Sequence, residues 1–294
     1  MRAAAILGLG CSPKDLEPFQ SGPGVDWCIG MPSPGEADVI LLFGGDGTIH
    51  RHLGQLVRLG LPVLVVPAGS GNDFASSLGL RRVRHSLDAW RSFCFSSANV
   101  RDIDLGTISP VIAAGDAPTM QGPRHFCCVA GVGIDGEVAR RANQLPRWLR
   151  GNGGYVLSLT PAIFTFDPFL MKISTADDKS AWRVRSHQPA LLAAFANTPL
   201  YGGGMKVAPK AKMDDGLLDV CLVGAVKPLR LLRLFPTVYS GGHLNIREVD
   251  YFQSTQVRVE TEDPMDVYAD GEYVCRTPIE VSVQKATLKV IVPA

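Results

Sequence analysis

The sequence predicts a two-part fold, an α/β domain over residues 1–102 followed by an antiparallel β-sandwich domain over residues 103–294. Three observations predict it. The first hundred residues contain continuous apolar runs that stop at Gly or Pro, the pattern of strands buried on both faces. Helical periodicity fills the gaps between those runs. Beyond "DIDLGTI" the runs give way to short segments, many of which alternate apolar and polar residues.

Taken in order, "AAAILGLG", "ADVILLF" and "LPVLVVP" supply the strands of the first part. Between the second and third, "TIHRHLGQLVRLG" sets Ile49, Leu53, Leu56 and Leu59 at helical spacing, and Gly60 stands where a C-terminal cap belongs. "NDFASSLGL" and "HSLDAWRSF" read as two further helices. Strand and helix in alternation build a sheet with right-handed crossovers. In the second part, "HFCCVAGVGI", "PFLMKIS", "ALLAAFAN", "GLLDVCLV", "TQVRVET", "MDVYADGEYVCR", "IEVSVQ" and "TLKVIVP" are short strands bounded by turn residues. "DGEVARRANQLPRWLR" and "KPLRLLRLFPTVY" interrupt them as helices. Little chain follows "LKVIVP", and that short C-terminus is the segment that could return toward the first domain.

Of the 294 residues, 46% are hydrophobic and 19% charged, the balance of a globular protein, and the net charge is +1. So small a net charge draws the chain neither to nucleic acid nor to a bulk anionic surface, and no nucleic-acid partner is expected. The seven cysteines include the adjacent pair Cys127 and Cys128 but no C-x-x-C spacing, which argues against a disulfide framework or a structural zinc and for a reducing compartment. The N-terminal apolar run reads as a first strand as well as it reads as a weak signal peptide. No apolar stretch reaches the roughly 18 residues of a membrane span. The expectation is a soluble cytoplasmic protein whose membrane contact, if it has any, is peripheral.

Chemistry concentrates in two glycine-rich turns. Gly44, Gly45 and Gly47 follow the strand "ADVILLF", with a helix after Thr48. Ligands bind at this end of strands in open α/β sheets, and a helix N-terminus offers amides and a dipole to an anion. Asp46 would repel a phosphate alone and makes sense beside a Mg²⁺ or a hydroxyl. "VVPAGSGNDF" repeats the arrangement, with Gly69 and Gly71 and with Ser70 or Asn72 as a helix cap. A plain strand-to-helix turn explains either loop alone. A pair at the same end of neighbouring strands fits a nucleotide better. Walker A is absent, Pro13 replaces the third glycine of a Rossmann fingerprint in "GLGCSP", and Ala68 breaks a nucleophile elbow.

"GGDGT", "PAGSGNDFA", "VAGVGIDGEV", "ANTPLYGGGMKVAPKAKMDDGLLDV" and the "DGE" of residues 270–272, in this order, resemble the diacylglycerol kinase catalytic-domain family, which groups bacterial lipid kinases with sphingosine and ceramide kinases. The resemblance runs from about residue 38 to the end. It implies a Rossmann-like α/β nucleotide-binding domain, a C-terminal β-sandwich, and ATP- and Mg²⁺-dependent phosphorylation of a lipid hydroxyl in the cleft between them. It also implies roles. Gly44, Gly45, Asp46, Gly47 and Thr48 match the ATP phosphate loop, with Asp46 near metal and triphosphate. Gly69, Ser70, Gly71 and Asn72 form the second loop, in which Ser70 matches a nucleotide-contacting Ser or Thr. Glu272 matches the general base toward the lipid hydroxyl. Asp215 matches a ligand of a second, structural Mg²⁺, with the carbonyls of Lys212 and Leu217 as its neighbours. The sequence departs from the family pattern at His50–Arg51, where an Asn–Glu pair is usual, and in the shortened stretch before "ADVILLF".

Plainer readings stand beside these. Asp270–Gly271 is a strong hairpin-turn signal, which would leave Glu272 a solvated carboxylate. Asp215–Gly216 also reads as an ordinary turn. Lys206, Lys210 and Lys212 either draw in an anionic headgroup or form a solvated face. "KPLRLLRLFPTVY" and "RRANQLPRWLR", with Arg140, Arg141, Arg147, Trp148 and Arg150, would either lie in a membrane headgroup region or pack on the sandwich. At the level of function, the rivals are a non-catalytic nucleotide or lipid sensor and another GGDGT kinase, such as an NAD kinase or a 6-phosphofructokinase-like enzyme.

Overall fold

The computed structural model describes residues 1–21, 24–111, 122–144, 154–177 and 181–294. They divide into two units, Met1–Asp104 with Lys285–Ala294, and Leu105–Gln284.

The first unit is an α/β layer. It contains β1 (Arg2–Leu7), α1 (Pro13–Leu16), β2 (Asp26–Ile29), β3 (Val39–Gly44), α2 (Asp46–Leu59), β4 (Val63–Pro67), α3 (Asp73–Ser77) and α4 (Val83–Ser96). The sheet runs β2-β1-β3-β4 in parallel. Every residue of β3 is buried, as the uninterrupted apolar run requires. Ile49, Leu53 and Leu56 of α2 are buried, and Gly60 ends that helix in the left-handed conformation with φ 63°. The last ten residues join this sheet: Val290 pairs with Val63 in parallel, and Asn99 Nδ2 donates to the Val292 carbonyl at 2.7 Å. Sequence periodicity does not pick out β2, because "DWCI" is a short edge strand with little burial to pattern it. Residues 30–38 form turns and loop without a helix.

The second unit is a β-sandwich with a helical flank. After β5 (Val100–Pro110) come β6 (Arg124–Phe126), β7 (Val129–Gly133), α5 (Ile134–Gln144), α6 (Gly154–Thr165), β8 (Phe169–Ala176), β9 (Arg183–Ala196), β10 (Leu218–Gly224), α7 (Pro228–Leu234), β11 (Val249–Ser254), β12 (Gln256–Thr261), β13 (Asp266–Ala269), β14 (Glu272–Arg276) and β15 (Ile279–Ile291). The pairs β5–β6, β7–β9, β7–β13, β8–β9, β8–β12, β9–β10, β10–β11, β12–β15 and β13–β14 are all antiparallel. The first half of β9 pairs with β8, and its second half lies between β7 and β10. Phe126, Phe195, Met171, Ile173, Val257 and Val281 fill the core. A smaller core joins α5 and α6 through Ile134, Val138, Leu159, Ala162 and Ile163, with Leu231 and Phe235 packed against it. The α6 helix was hidden in the sequence by Pro161, which sits inside it. Arg147, Trp148 and Arg150 lie outside the described residues.

Candidate active site

The two glycine loops of the first unit touch each other. A Cβ added to Gly69 would stand 2.3 Å from the Gly45 Cα, and one added to Gly45 would stand 2.3 Å from the Gly71 carbonyl oxygen. Glycine is therefore required here by backbone-to-backbone packing, in addition to any ligand. The Asp46 amide donates to the Gly71 carbonyl at 3.1 Å. The Asp46 carboxylate then caps the neighbouring helix: Oδ2 accepts from the Asp73 amide at 3.0 Å and Oδ1 from the Phe74 amide at 3.1 Å.

That cap corrects the expectation for Ser70 and Asn72. Asn72 occupies the N-cap position of α3, but its side chain turns back, Oδ1 accepting from the Gly69 amide and Nδ2 donating to the Gly69 carbonyl. Ser70 is exposed at the tip of the loop. Thr48 directs its side chain over Gly44, into space that a Cβ there would fill. Among the described residues, the amides of Gly47, Ser70 and Gly71 donate to no protein acceptor. Unsatisfied amides at the start of the 14-residue α2 and in the adjoining loop fit a phosphate.

In the second unit, Asp270 and Gly271 form the β13–β14 turn with φ 50° and 84°, the two positive values of a type I′ hairpin. The Asp270 carboxylate is buried and takes three amides: Cys127 on Oδ2 at 2.9 Å, Cys128 and Val129 on Oδ1 at 2.8 and 3.2 Å. Nearby Glu272 is exposed, and among the described residues its side chain has no hydrogen bond or ion pair. Asp215 is exposed, and its Oδ1 accepts from the Leu217 amide at 3.1 Å across a turn in which Gly216 has φ 72°. Lys212 is exposed and Leu217 half-buried in the same loop. Lys210 lies over the Tyr251 ring at 5.8 Å.

The second unit also contains a partly open, mostly apolar cavity of about 130 Å³. Leu159 and Ile163 of α6, Leu231 and Leu234 of α7, and Phe235 and Val238 beyond it contribute to its walls. Three polar side chains enter it: Asp135, Tyr201 and His243. Asp135 is 5% exposed, and its carboxylate rests against Gly131, where a Cβ would stand 2.0 Å from Oδ2. Tyr201 donates to Oδ2 at 3.3 Å, while Oδ1 is buried without a hydrogen bond. Burial raises the Asp135 carboxyl to about 7, against the opposing pull of the Gly136 amide and Tyr201. His243 bonds through Nε2 to the Val207 carbonyl, its Nδ1 is buried and unbonded, and burial holds the ring below its ordinary pKa. Sequence reasoning assigned none of these three a role. The signal for them in the sequence is Asp135, an acid two residues beyond the apolar strand, within "VAGVGIDGEV".

Two family models match the chain: "Diacylglycerol kinase catalytic domain" over residues 30–108 and "YegS C-terminal NAD kinase beta sandwich-like domain" over residues 128–292. A diacylglycerol kinase of Mycobacterium tuberculosis is 32% identical over 264 residues, 87% of this chain and 77% of that protein. The chain belongs to the diacylglycerol kinase catalytic-domain family. This membership makes it a phosphotransferase of a kinase family that uses ATP, and the sensor reading gives way. A crystal structure of a diacylglycerol kinase from Bacillus anthracis, 18% identical, matches with a TM-score of 0.66 over 99% of this chain and 96% of the other. An NAD kinase from Archaeoglobus fulgidus in complex with ATP shares the fold more distantly, at a TM-score of 0.53 and 15% identity over 100% of this chain and 94% of the other. Among the described residues, no helix is long and apolar enough to cross a membrane.

Proposed function

We propose that this kinase transfers the γ-phosphate of ATP to the hydroxyl of a lipid, diacylglycerol or a close relative, whose apolar part enters the cavity of the second unit. The observation that carries the lipid reading is that cavity, walled by leucine, isoleucine and phenylalanine and entered by one incompletely bonded carboxylate. A pocket with mostly apolar walls takes an apolar guest, and a soluble nucleotide acceptor would gain little from it.

In this reading the amides of Gly47, Ser70 and Gly71 donate to the phosphate oxygens. Asp46 holds its carboxylate toward both loops and would be the ligand for a Mg²⁺. Its oxygens already accept the Asp73 and Phe74 amides, and a carboxylate fixed in this way is the hard oxygen donor that Mg²⁺ prefers. Bound Mg²⁺ would supply charge neutralisation at the triphosphate. Glu272 orients the acceptor hydroxyl and takes its proton. The surface carboxylate of Asp215, with the carbonyls of Lys212 and Leu217, offers the oxygen-only set a second Mg²⁺ prefers.

Transfer of labelled γ-phosphate to mixed micelles carrying a panel of hydroxyl lipids tests the reading. The Glu272 side chain is exposed and lacks partners among the described residues, so Glu272→Gln should leave folding intact and cut turnover about a hundredfold or more while ATP affinity holds. A parallel loss of ATP affinity would overturn the assigned role. Labelling of a soluble acceptor in place of every lipid would overturn the substrate class.

A further inference from the structure

The α7 segment is apolar on both of its sides. Leu231, Leu234, Phe235 and Val238 line the cavity. Leu229 and Leu232, at the intervening helical positions, face solvent at 74% and 39% exposure, followed by Tyr239 at 40%. Leu229 and Leu232 lie three positions apart and so share one face of the helix. Around them stand Lys227, Arg230 and Arg233, all exposed, and residues 227–239 contain no acid. Arg230 is paired with Glu248 at 3.1 Å, whereas Lys227 and Arg233 have no acidic partner among the described residues.

The other basic segment differs in that respect. Arg140 and Arg141 of α5 both bond to Glu137, so each has an acidic partner within the protein. Only the α7 segment, among these two as described, combines exposed leucines with unmet cations. That pairing is complementary to an anionic lipid surface: leucines reach the acyl boundary while Lys and Arg stay at the headgroups.

We propose that the outward face of α7 docks on an anionic bilayer, so that the same helix that walls the cavity rests on the lipid supply. The docking rests on the reading of that cavity as the lipid site, and the two can fail separately. Neither Leu229, Leu232, Lys227 nor Arg233 lines the cavity.

The test is sedimentation with phosphatidylglycerol-rich and with phosphatidylcholine vesicles, alongside kinase activity on a short-chain lipid dispersed in solution. Wild type should bind the anionic vesicles in a salt-sensitive way and the neutral ones weakly. Leu229→Gln/Leu232→Gln and, separately, Lys227→Gln/Arg233→Gln should each lower anionic-vesicle binding by roughly tenfold or more. Both should phosphorylate the dispersed lipid at the wild-type rate. Undiminished vesicle binding in both variants would overturn the docking, as would an α7-dependent dimer of the wild type seen by light scattering. α7-dependent vesicle binding with no transfer to any lipid would leave the docking standing and overturn the substrate reading instead.

Discussion

Asp135 and Asp270 lie in the same unit and are almost equally buried, at 5% and 8% exposure, yet their surroundings are opposite. Asp270 is met by the amides of Cys127, Cys128 and Val129, with the Cys127 thiol a further neighbour at 3.4 Å. Asp135 faces an apolar cavity with one oxygen unbonded and its carboxyl raised to about 7. Burial alone therefore does not assign a carboxylate its task. Three donors turn Asp270 into a clamp that holds the hairpin turn against β7. Too few donors leave Asp135 with bonding capacity to spare, facing the space where a ligand would sit.

The sharpest way to break the comparison is Asp270→Asn. Asn tolerates the positive φ of this turn, so the substitution isolates the loss of the charged acceptor. With the amides of residues 127–129 left under-satisfied, stability should fall by about 3 kcal/mol, read from the urea midpoint. A loss under about 0.5 kcal/mol would mean that the clamp contributes nothing beyond an ordinary surface contact.

Asp135→Asn should behave differently. A carboxyl raised in the folded state binds more protons than the unfolded chain between the ordinary carboxylate pKa of about 3.9 and about 7. Its contribution to stability is complete below that window and lost as pH rises through it, at up to about 1.4 kcal/mol per pH unit. Thermal melts of wild type should therefore show a decline across the window that Asp135→Asn flattens. Identical pH dependence in the two proteins would remove Asp135 from the set of perturbed groups.

The smallest effect belongs to Tyr201→Phe. The hydroxyl donates at 3.3 Å, a long bond that favours the ionised carboxylate. Its removal should cost about 1 kcal/mol above pH 7, where Asp135 is charged, and less near pH 5, where it is protonated. An equal cost at both values would show that Tyr201 acts by packing and not through the carboxylate.

Much of this was legible in the chain. "GGDGT" and "PAGSGND" mark loops at strand ends because only small residues permit those turns, and Asp270–Gly271 marks a hairpin because a type I′ turn needs two positive φ values. The "DGE" pattern points to Glu272, yet it is the side chain of Asp270, two residues earlier, that bonds to the amides of residues 127–129. Local pattern offers Ser70 or Asn72 as the helical cap of α3, whereas the carboxylate that caps it belongs to Asp46, 27 residues before Asp73. No local pattern encodes such a bond.

The sequence by itself determined the two-part architecture, the loop positions and the basic, leucine-rich helix, because periodicity and turn chemistry act between near neighbours. Only the tertiary structure decided which carboxylates are met by donors, that Gly45 and Gly69 share one contact, and that α7 turns one apolar side inward and the other out. Those outcomes depend on which backbone groups and side chains from distant strands and helices arrive at the same place. Hydrogen bonding and burial are settled by that arrival, and spacing along the chain does not report it.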